Sequence, residues 1–449
     1  MSRLPAIIDP AEVRRIATTF PSYRDFVDDA LFHPTWGYYS TGKVRFGEGG
    51  HYDTFPLALS PLFGRMLAEY AQRFWIRARR PAHFEICEIG AGNGQLCLDV
   101  VIWVAERARH ERAWKRFADA LRYRIIERSP ALIARQRATL GPLSDSVTWS
   151  NADLSQRAAR GAPFAACGVV FANEVLDCLA HHKVVRQADG TPGVVFVVPE
   201  LDVLSRRRAN GFTPARGLDG KPSAVPHASL QRVMADERLR RRVRFEEVTL
   251  PVRVVPRLHE FLHEYYPEMF SPLRFPPYFA CPEIATLVRN AARLYRRSET
   301  LWVDYGELSD FHLKAPEQRR VFAGPPRSGA SVYREPGHDD ITFLVDFSVV
   351  GAAAEAAGMH VKFYGNQGEL ARRSGVALDR SARDLIVRYR TLGWMLAVVG
   401  VGPEREWRHT GLTWSKAHGT GGRMRDEVNK TIAEFTGARR GYFKLMIVG

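Results

Sequence analysis

The sequence predicts an α/β fold that is built around a mostly parallel β-sheet. Segments of strand and helix character alternate from residue 84 to about residue 180, and parallel strands need such helical crossovers. The first of these strands runs into a glycine-rich turn that opens a helix. The chain has 449 residues, of which 45% are hydrophobic and 25% are charged. It can therefore form two or three domains, and it is neither disordered nor fibrous.

Helices are predicted ahead of the alternating region, where apolar residues recur at spacings of three and four. They cover residues 11–30 and 61–78, and a turn-rich stretch over 34–56 separates them. Within the alternating region, strands are predicted over residues 84–89, 123–126, 147–149 and 168–171. The intervening helices are predicted over residues 95–108 and 130–140, and a third begins at about residue 174.

The alternation breaks near residue 200 and resumes after residue 282. Residues 205–230 are rich in Arg, Gly, Pro and Ser, and residues 267–282 contain five prolines, which predicts loops or insertion boundaries. Further helices are predicted over residues 282–298 and 346–359. Extended segments are predicted over residues 301–303, 341–345, 394–401 and 442–448, of which the last two are expected to pair.

The chain is strongly basic, with 64 Lys and Arg against 49 Asp and Glu and a formal charge of +15. This balance favours acidic partners or phosphate without identifying one. The densest basic cluster lies on a predicted helix, has no aromatic residues between its arginines and is flanked by glutamates. We therefore interpret it as a solvated helix face rather than a nucleic-acid patch. Its members are Arg238, Arg240, Arg241, Arg242 and Arg244.

Three features of the sequence bear on its compartment. No apolar run reaches the roughly 18 residues that a membrane span needs, and residues 1–15 lack the apolar centre of a secretory signal. The five cysteines form no CxxC pair, which indicates buried thiols in a reducing compartment. The sequence therefore predicts a cytoplasmic protein, with the mitochondrial matrix as the alternative.

The glycine-rich turn has the spacing GxGxG rather than the GxGxxG of a dinucleotide site. Glu88 precedes it, and a carboxylate there would repel a pyrophosphate but attract a cationic amino-acid cofactor. Glu127 ends the next strand, where it can accept both hydroxyls of a ribose, and Asp153 follows the third strand, within reach of an adenine. With Gly90, Gly92 and Gly94, these residues predict a site for S-adenosyl-L-methionine, although the glycines alone fit any tight turn.

Polar residues also end the fourth predicted strand, at the edge of the sheet where ligands of open α/β sheets bind. Asn173 can accept a hydrogen bond from a nitrogen of the methyl acceptor, and it also belongs to the predicted cofactor site. Glu174 and Asp177 lie three apart on the predicted following helix, so they would share a face. Two carboxylates there suit a guanidinium or an amine, and the alternative is a helix cap with solvated acids.

The chain resembles the MidA/NDUFAF7 (DUF185) family of class I methyltransferases in motifs that follow the family's order over most of its length. The matching stretches are ALFHPTWGYY at 30–39, LSPLFG at 59–64, EIGAGNG at 88–94, IIERSP at 125–130 with Leu132 and Gln136, FANEVLD at 171–177, DYG at 304–306, DIT at 340–342, VDF at 345–347, GNQ at 365–367 and FKL at 443–445. Two acids that the family usually has are replaced here by His51 and Leu57, which leaves the acceptor open.

The resemblance implies a Rossmann-like class I methyltransferase with an N-terminal helical cap and an inserted substrate or lid region. The expected division is a cap over 1–82, a cofactor-binding half over 83–200, an insertion over 201–298 and the remaining methyltransferase domain over 299–449. Asp304 and Tyr305 are expected near the acceptor. Because the mitochondrial family member methylates an arginine of a respiratory complex I subunit, the resemblance implies arginine N-methylation of a protein or peptide. Whether that substrate is acidic and whether this chain forms a homodimer stay open.

Other functions remain as alternatives. The acceptor could be a small molecule or a biosynthetic peptide, or the protein could be an assembly factor with a vestigial cofactor site. A competing pattern, HExxH, places His259 and His263 on one helix face, with Glu260 as a general base and Glu283 as a third zinc ligand. We favour an ordinary packed helix there, because Leu258, Phe261 and Leu262 give it an apolar face, and we expect no metal.

Overall fold

The computed structural model describes residues 9–42, 44, 54–156, 164–202, 213–271, 276–314, 321–323, 331–383, 385–386, 422–437 and 443–449. Its α-helices are α1 Pro10–Thr19, α2 Tyr23–Phe32, α3 Phe55–Ala58, α4 Leu62–Arg77, α5 Gln95–His110, α6 Arg112–Ala120, α7 Pro130–Leu140, α8 His227–Ala235, α9 Glu237–Arg240, α10 Pro256–Tyr265, α11 Pro282–Ala291, α12 Ser309–His312, α13 Phe347–Ala356, α14 Glu369–Ser374 and α15 Gly422–Phe435.

The strands are β1 Phe84–Ile89, β2 Leu121–Glu127, β3 Val147–Asn151, β4 Ala165–Asn173, β5 His182–Arg186, β6 Pro192–Leu201, β7 Ala215–Arg216, β8 Pro222–Ala224, β9 Val243–Pro251, β10 Tyr278–Ala280, β11 Tyr295–Glu307, β12 Val321–Ala323, β13 Ile341–Phe343, β14 Val345–Asp346, β15 Val361–Asn366 and β16 Phe443–Val448. They belong to two compact units. The core unit comprises Val44–Asp177, Glu283–Glu307 and Val345–Gly449, and the insert unit comprises Met1–Lys43, Cys178–Pro282 and Leu308–Leu344.

The core unit is built on a mixed sheet with the strand order β15-β16-β11-β4-β1-β2-β3, in which β14 also pairs with β11. Strands β1, β2, β3, β4 and β11 are parallel to one another. Strand β16 runs antiparallel between β11 and β15, and β15 is therefore parallel to β11. The predicted fold class, a mostly parallel α/β sheet, is confirmed.

The central strand β1 is buried along its whole length, although it contains two glutamates. Glu85 receives two hydrogen bonds from the Arg124 guanidinium, at 2.8 and 3.1 Å, and one from the Tyr295 hydroxyl at 2.8 Å. Such bidentate pairing offsets the cost of burying a carboxylate. Helices α4 and α5 pack closely, since a Cβ on Gly64 would lie 2.4 Å from the Cβ of Asp99.

The insert unit contains a separate sheet with the strand order β10-β5-β6-β8-β7, in which β9 also pairs with β6. All of its described pairings are antiparallel. Strands β12 and β13 form a further antiparallel pair. The sequence patterns indicated only a break in the alternation here, so this sheet is a finding of the structure.

Several predicted elements have different bounds. The helix expected over 11–30 is two helices, because Pro21 cannot donate a backbone hydrogen bond and Ser22 caps α2 through the N–H of Asp25. The arginine cluster lies only partly on a helix, since α9 ends at Arg240 and Arg244 belongs to β9. The helix expected to end at 298 ends at Ala291, and strand β11 begins at Tyr295. Residues 394–401 lie outside the described residues.

Candidate functional site

The polar residues that the sequence singles out lie at one edge of the core sheet, where its parallel strands end. In register, Ile89 of β1 faces Ile126 of β2 and Ala172 of β4, and Asn173 of β4 faces Val303 of β11. The residues that follow these positions therefore lie side by side. They are Gly90 after β1, Glu127 at the end of β2, Asn173 at the end of β4 and Asp304 near the end of β11.

The glycine turn between β1 and α5 uses backbone conformations that favour glycine. Gly90, Gly92 and Gly94 have φ values of +68°, +52° and +87°, a region that costs an ordinary residue about 1–2 kcal/mol. A Cβ on Gly90 would also lie 2.8 Å from Cγ2 of Val175. The Asn93 side chain accepts a hydrogen bond from the N–H of Gln95 at 3.1 Å at the start of α5. The turn therefore favours glycine at all three positions through its backbone conformation, and at Gly90 also through the close approach of Val175.

Glu88 is buried just before this turn, and the Tyr123 hydroxyl donates a hydrogen bond to it at 2.7 Å. The pKa of Glu88 is raised to about 7, mainly by burial; the hydrogen bond from the Tyr123 hydroxyl lowers this pKa, and the negative charge of Glu127 contributes to the rise. A cation placed beside Glu88 would stabilise its ionised form.

Glu127 is a buried carboxylate whose two oxygens have different partners. Oε1 accepts a hydrogen bond from the N–H of Ser129 at 2.9 Å, and Oε2 accepts one from Nε2 of Gln136 at 3.1 Å. Burial raises the pKa of Glu127, and these two hydrogen bonds lower it. The backbone N–H of Arg128 is a third donor to this carboxylate. Since a carboxylate accepts about four hydrogen bonds, Glu127 keeps capacity for a ligand hydroxyl.

Gln136 is a site residue that reasoning from the residues alone did not assign. It is fully buried on α7, and its Nε2 donates to the carbonyl oxygen of Gly92 as well as to Glu127, both at 3.1 Å. Its Oε1 accepts a hydrogen bond from Nε1 of Trp149 at 3.1 Å. The only sequence signal was its position in a matching motif of the family, where it had no role.

Asp153 follows β3, as predicted, and its carboxylate has partners within the chain. Oδ1 accepts hydrogen bonds from the N–H and the hydroxyl of Ser155 at 2.9 and 2.6 Å. Oδ2 lies 3.3 Å from a guanidinium nitrogen of Arg128. These contacts fix the loop after β3, and the expected contact of Asp153 with an adenine stays a prediction.

The residues after β4 form a turn rather than the predicted helix. Glu174 has φ of +51°, and its N–H donates to the carbonyl oxygen of Val303 at 2.8 Å. Consequently Glu174 and Asp177 do not share a helix face, although they remain close in the turn. The Asn173 side chain donates to Glu174 Oε1 at 3.0 Å, while its own Oδ1 is buried without a hydrogen-bond partner in the described part of the chain.

The carboxylate of Asp304 stabilises this turn. Its Oδ2 accepts hydrogen bonds from the backbone N–H groups of Leu176 and Asp177 at 3.0 and 3.3 Å, and its Oδ1 accepts one from Tyr305 at 2.9 Å. Burial raises the pKa of Asp304 well above its usual range, and the negative charges of Asp177 and Glu174 raise it further. Three acidic side chains thus lie together, and an added cation would reduce their repulsion.

Tyr305 extends this edge of the sheet. It is half-buried, and its ring packs edge-on against Phe443 of β16 with a centroid distance of 5.6 Å. Phe443 also packs against Phe55, at 4.8 Å. Leu57, one of the two positions that depart from the family pattern, is buried in α3, and His51 lies outside the described residues.

The histidines of the insert unit have packing partners. His181 and His182 lie before and at the start of β5, and burial lowers the pKa of both to about 3. The His181 ring stacks on Phe343 at 4.3 Å. In α10, which contains the HExxH pattern, the His263 ring stacks on Phe270 at 3.8 Å. Among the described residues, no group of three or more His, Cys, Asp or Glu could hold a metal ion.

Comparison with known proteins identifies the relatives of the chain. Residues 66–365 match the model of a family described as S-adenosyl-L-methionine-dependent methyltransferase. The protein named "Protein arginine methyltransferase NDUFAF7, mitochondrial" is 31% identical over 90 residues in Bos taurus, which is 20% of each chain. Its Xenopus tropicalis counterpart is 26% identical over 196 residues, or 39% of this chain and 43% of that one. The match spans less than half the length of these relatives.

Solved structures show the same fold. A Burkholderia thailandensis protein bound to S-adenosyl-homocysteine gives a TM-score of 0.61 at 20% identity, covering 100% of this chain and 95% of the other. A native crystal structure, also of a Burkholderia thailandensis protein, gives a TM-score of 0.57 at 19% identity with the same coverage. Identities this low establish the fold and nothing finer.

Proposed function

Since the chain belongs to this family of S-adenosyl-L-methionine-dependent methyltransferases, we propose that it methylates a guanidinium nitrogen of an arginine in a protein or peptide. The observation that carries the proposal is the group of three acidic side chains, Glu174, Asp177 and Asp304, beside Oδ1 of Asn173, which has no hydrogen-bond partner among the residues that the structure describes. The printed name of the NDUFAF7 relatives supports the same acceptor.

The residues at the carboxyl edge fit the cofactor of the family. We assign Gly90, Gly92 and Gly94 to its main-chain contacts, because glycine permits the left-handed conformations of this turn and has no side chain to keep a ligand from the backbone. Glu127 has lone pairs left for the ribose hydroxyls, and Glu88 supplies negative charge close to the turn. We assign Asp153 to the adenine and Asn173 to both ligands, as the sequence suggests.

The acceptor would lie beside the turn that follows β4. A guanidinium is a planar cation with five N–H donors, and it pairs well with carboxylates. Glu174 and Asp177 would hold it, and Asn173 Oδ1 would accept a hydrogen bond from the attacking nitrogen. Binding a cation would also reduce the repulsion that raises the pKa of Asp304. Tyr305 would border the acceptor on the side of β11.

The reaction is a displacement at carbon, for which the bound cofactor supplies an electrophilic methyl group. The attacking nitrogen would gain the methyl group and lose one proton, which the carboxylate of Glu174 or Asp177 would accept. The carboxylates would stabilise the cationic guanidinium and orient its nitrogen toward the methyl group. Orientation is the main contribution that the chain can make to such a transfer.

The proposal is tested by incubating the protein with S-adenosyl-L-methionine and peptides that contain either arginine or lysine at one position. We expect only the arginine peptides to gain the mass of a methyl group. Replacing Glu174 by Gln should lower turnover about 100-fold while sparing the affinity for S-adenosyl-homocysteine. Glu106→Gln, at an exposed position of α5, is the matched control and should leave both values unchanged.

Two outcomes would contradict these expectations. If the wild type methylates lysine peptides or only small molecules, the arginine assignment is wrong. If Glu174→Gln weakens cofactor affinity as much as it lowers turnover, Glu174 belongs to the cofactor side of the site.

We further propose that the protein works in a reducing compartment, either the cytoplasm or the mitochondrial matrix. The five cysteines, all of them within the described residues, form no disulfide, and four of them are buried. The matrix alternative agrees with the printed location of the relatives. No helix in the described part of the chain is long and apolar enough to cross a membrane.

A further inference from the structure

The side-chain amide of Gln136 joins three segments around the predicted cofactor site. It lies on α7, it is 0% exposed, and each of its polar atoms has a partner. Nε2 donates to the Gly92 carbonyl oxygen and to Glu127 Oε2, and Oε1 accepts from the Trp149 indole. The glycine turn, the end of β2 and strand β3 are thus connected through one amide.

The orientation of this amide is fixed by its neighbours. An indole N–H can only donate, so Trp149 must face the amide oxygen, and the amide nitrogen must then face Gly92 and Glu127. The two hydrogens of the nitrogen match the two acceptors. Neither glutamate nor methionine of similar length could supply both donors.

The same amide fixes the carboxylate of Glu127. The Ser129 N–H holds Oε1 at 2.9 Å and Gln136 holds Oε2 at 3.1 Å, so both oxygens of the carboxylate are restrained. Helix α7 also lies close to the turn, since a Cβ on Gly94 would be 3.1 Å from Cα of Gln136. Restraining a ligand group before binding lowers the entropy lost on binding.

We propose that Gln136 is a positioning residue, which orients the Glu127 carboxylate for the two ribose hydroxyls of the cofactor without touching the cofactor itself. The proposal rests on the ribose contact that we assign to Glu127. Trp149 supports Gln136 in turn, as the donor that prevents the amide from rotating. Supporting groups of this kind commonly change ligand affinity when they are removed.

The test is calorimetric titration with S-adenosyl-homocysteine and with its 2′-deoxy analogue, which lacks one of the hydroxyls. Gln136→Met keeps the length of the side chain and removes both donors. We expect it to weaken S-adenosyl-homocysteine binding about tenfold and to change binding of the analogue little, so that the preference of the wild type for the hydroxyl is largely lost.

Two further variants keep the test decisive. Trp149→Phe removes only the donor that orients the amide, at a half-buried position where the fold should tolerate it, and should lose part of the same preference. Gln72→Met removes a different buried amide, in α4, and should keep the wild-type preference. The proposal is overturned if Gln136→Met and Trp149→Phe keep the wild-type preference for S-adenosyl-homocysteine over its 2′-deoxy analogue. It is also overturned if they weaken the binding of both ligands equally.

The variant Glu127→Gln distinguishes the positioning role of Gln136 from the ribose contact that we assign to Glu127. If that variant loses the preference while Gln136→Met keeps it, the ribose contact stands and the positioning role is wrong. If Glu127→Gln also keeps the preference, the ribose does not bind there and both assignments fall. Neither outcome depends on which acceptor is methylated, because no acceptor is present in the titration.

Discussion

Replacing Glu88 by Gln should change how the stability of the protein depends on pH. Glu88 has an ordinary pKa of 4.5 in the unfolded chain, and burial raises it to about 7 in the folded protein. Between these values the unfolded state ionises while the folded state stays protonated. The folded state then binds more protons, so its stability falls as pH rises. Below pH 4.5 both states are protonated, and Glu88 adds no pH dependence.

The size of this effect follows from the difference between the two pKa values. One pKa unit corresponds to about 1.4 kcal/mol, so a rise from 4.5 to about 7 corresponds to roughly 3 kcal/mol lost by pH 8. Glutamine has no such titration and can still accept the hydrogen bond from Tyr123. Relative to the wild type, Glu88→Gln should therefore gain about 3 kcal/mol between pH 4.5 and pH 8.

The assay is denaturant unfolding of cofactor-free wild type and Glu88→Gln at intervals between pH 4.5 and pH 8, followed by tryptophan fluorescence. The difference between the two free energies of unfolding isolates Glu88 from the other carboxylates. Tyr123→Phe is an informative second variant, because it removes the hydroxyl that lowers the pKa of Glu88. It should increase the stability that the protein loses as the pH rises. Parallel pH curves for wild type and Glu88→Gln would refute the reasoning.

Three other substitutions test neighbouring features. Asp304→Asn should cost about 2 kcal/mol of stability, because an amide nitrogen cannot accept hydrogen bonds from the N–H groups that Asp304 now holds. Turnover of this variant should fall more than its cofactor affinity. A variant as stable and active as the wild type would contradict this prediction. Gly90→Ala should abolish measurable S-adenosyl-homocysteine binding in calorimetry, whereas Gly358→Ala, also at positive φ but with nothing within 4 Å of its Cβ, should bind normally. Gln367→Leu should raise the free energy of unfolding by about 1 kcal/mol in denaturant titrations. Gln367 is buried, and neither polar atom of its amide has a hydrogen-bond partner in the described structure. A loss of stability would mean that the amide does have a hydrogen-bond partner.

The sequence predicts best those elements whose signals are local. Helix α7 has the predicted bounds because Ser129 caps it, Pro130 occupies its first turn and a glycine follows its last residue. The parallel core strands and the glycine turn were predicted from alternation and spacing alone. The family resemblance and the cofactor are confirmed by the family match.

The errors arise where distant residues decide the local conformation. The residues after Asn173 have the composition of a helix, but the N–H groups of Leu176 and Asp177 bind Asp304, which is 127 residues from Asp177. The antiparallel sheet of the insert unit depends on pairing β6 with β9 across an intervening helical segment. Gln136 gave no signal beyond its place in a family motif, because burial and three partners cannot be deduced from a polar residue in an ordinary helix.

The position of β16 has a consequence for how the chain folds during synthesis. This strand lies between β11 and β15, yet it follows every other strand of the sheet in sequence. Until residue 448 has left the ribosome, β11 and β15 each present an unpaired edge, which is a template for aberrant pairing. The edge of β11 includes Asp304, which holds the turn after β4. The nascent chain therefore completes strands β1–β4 well before it completes the pairing of β11, and between those moments it depends on protection from aggregation.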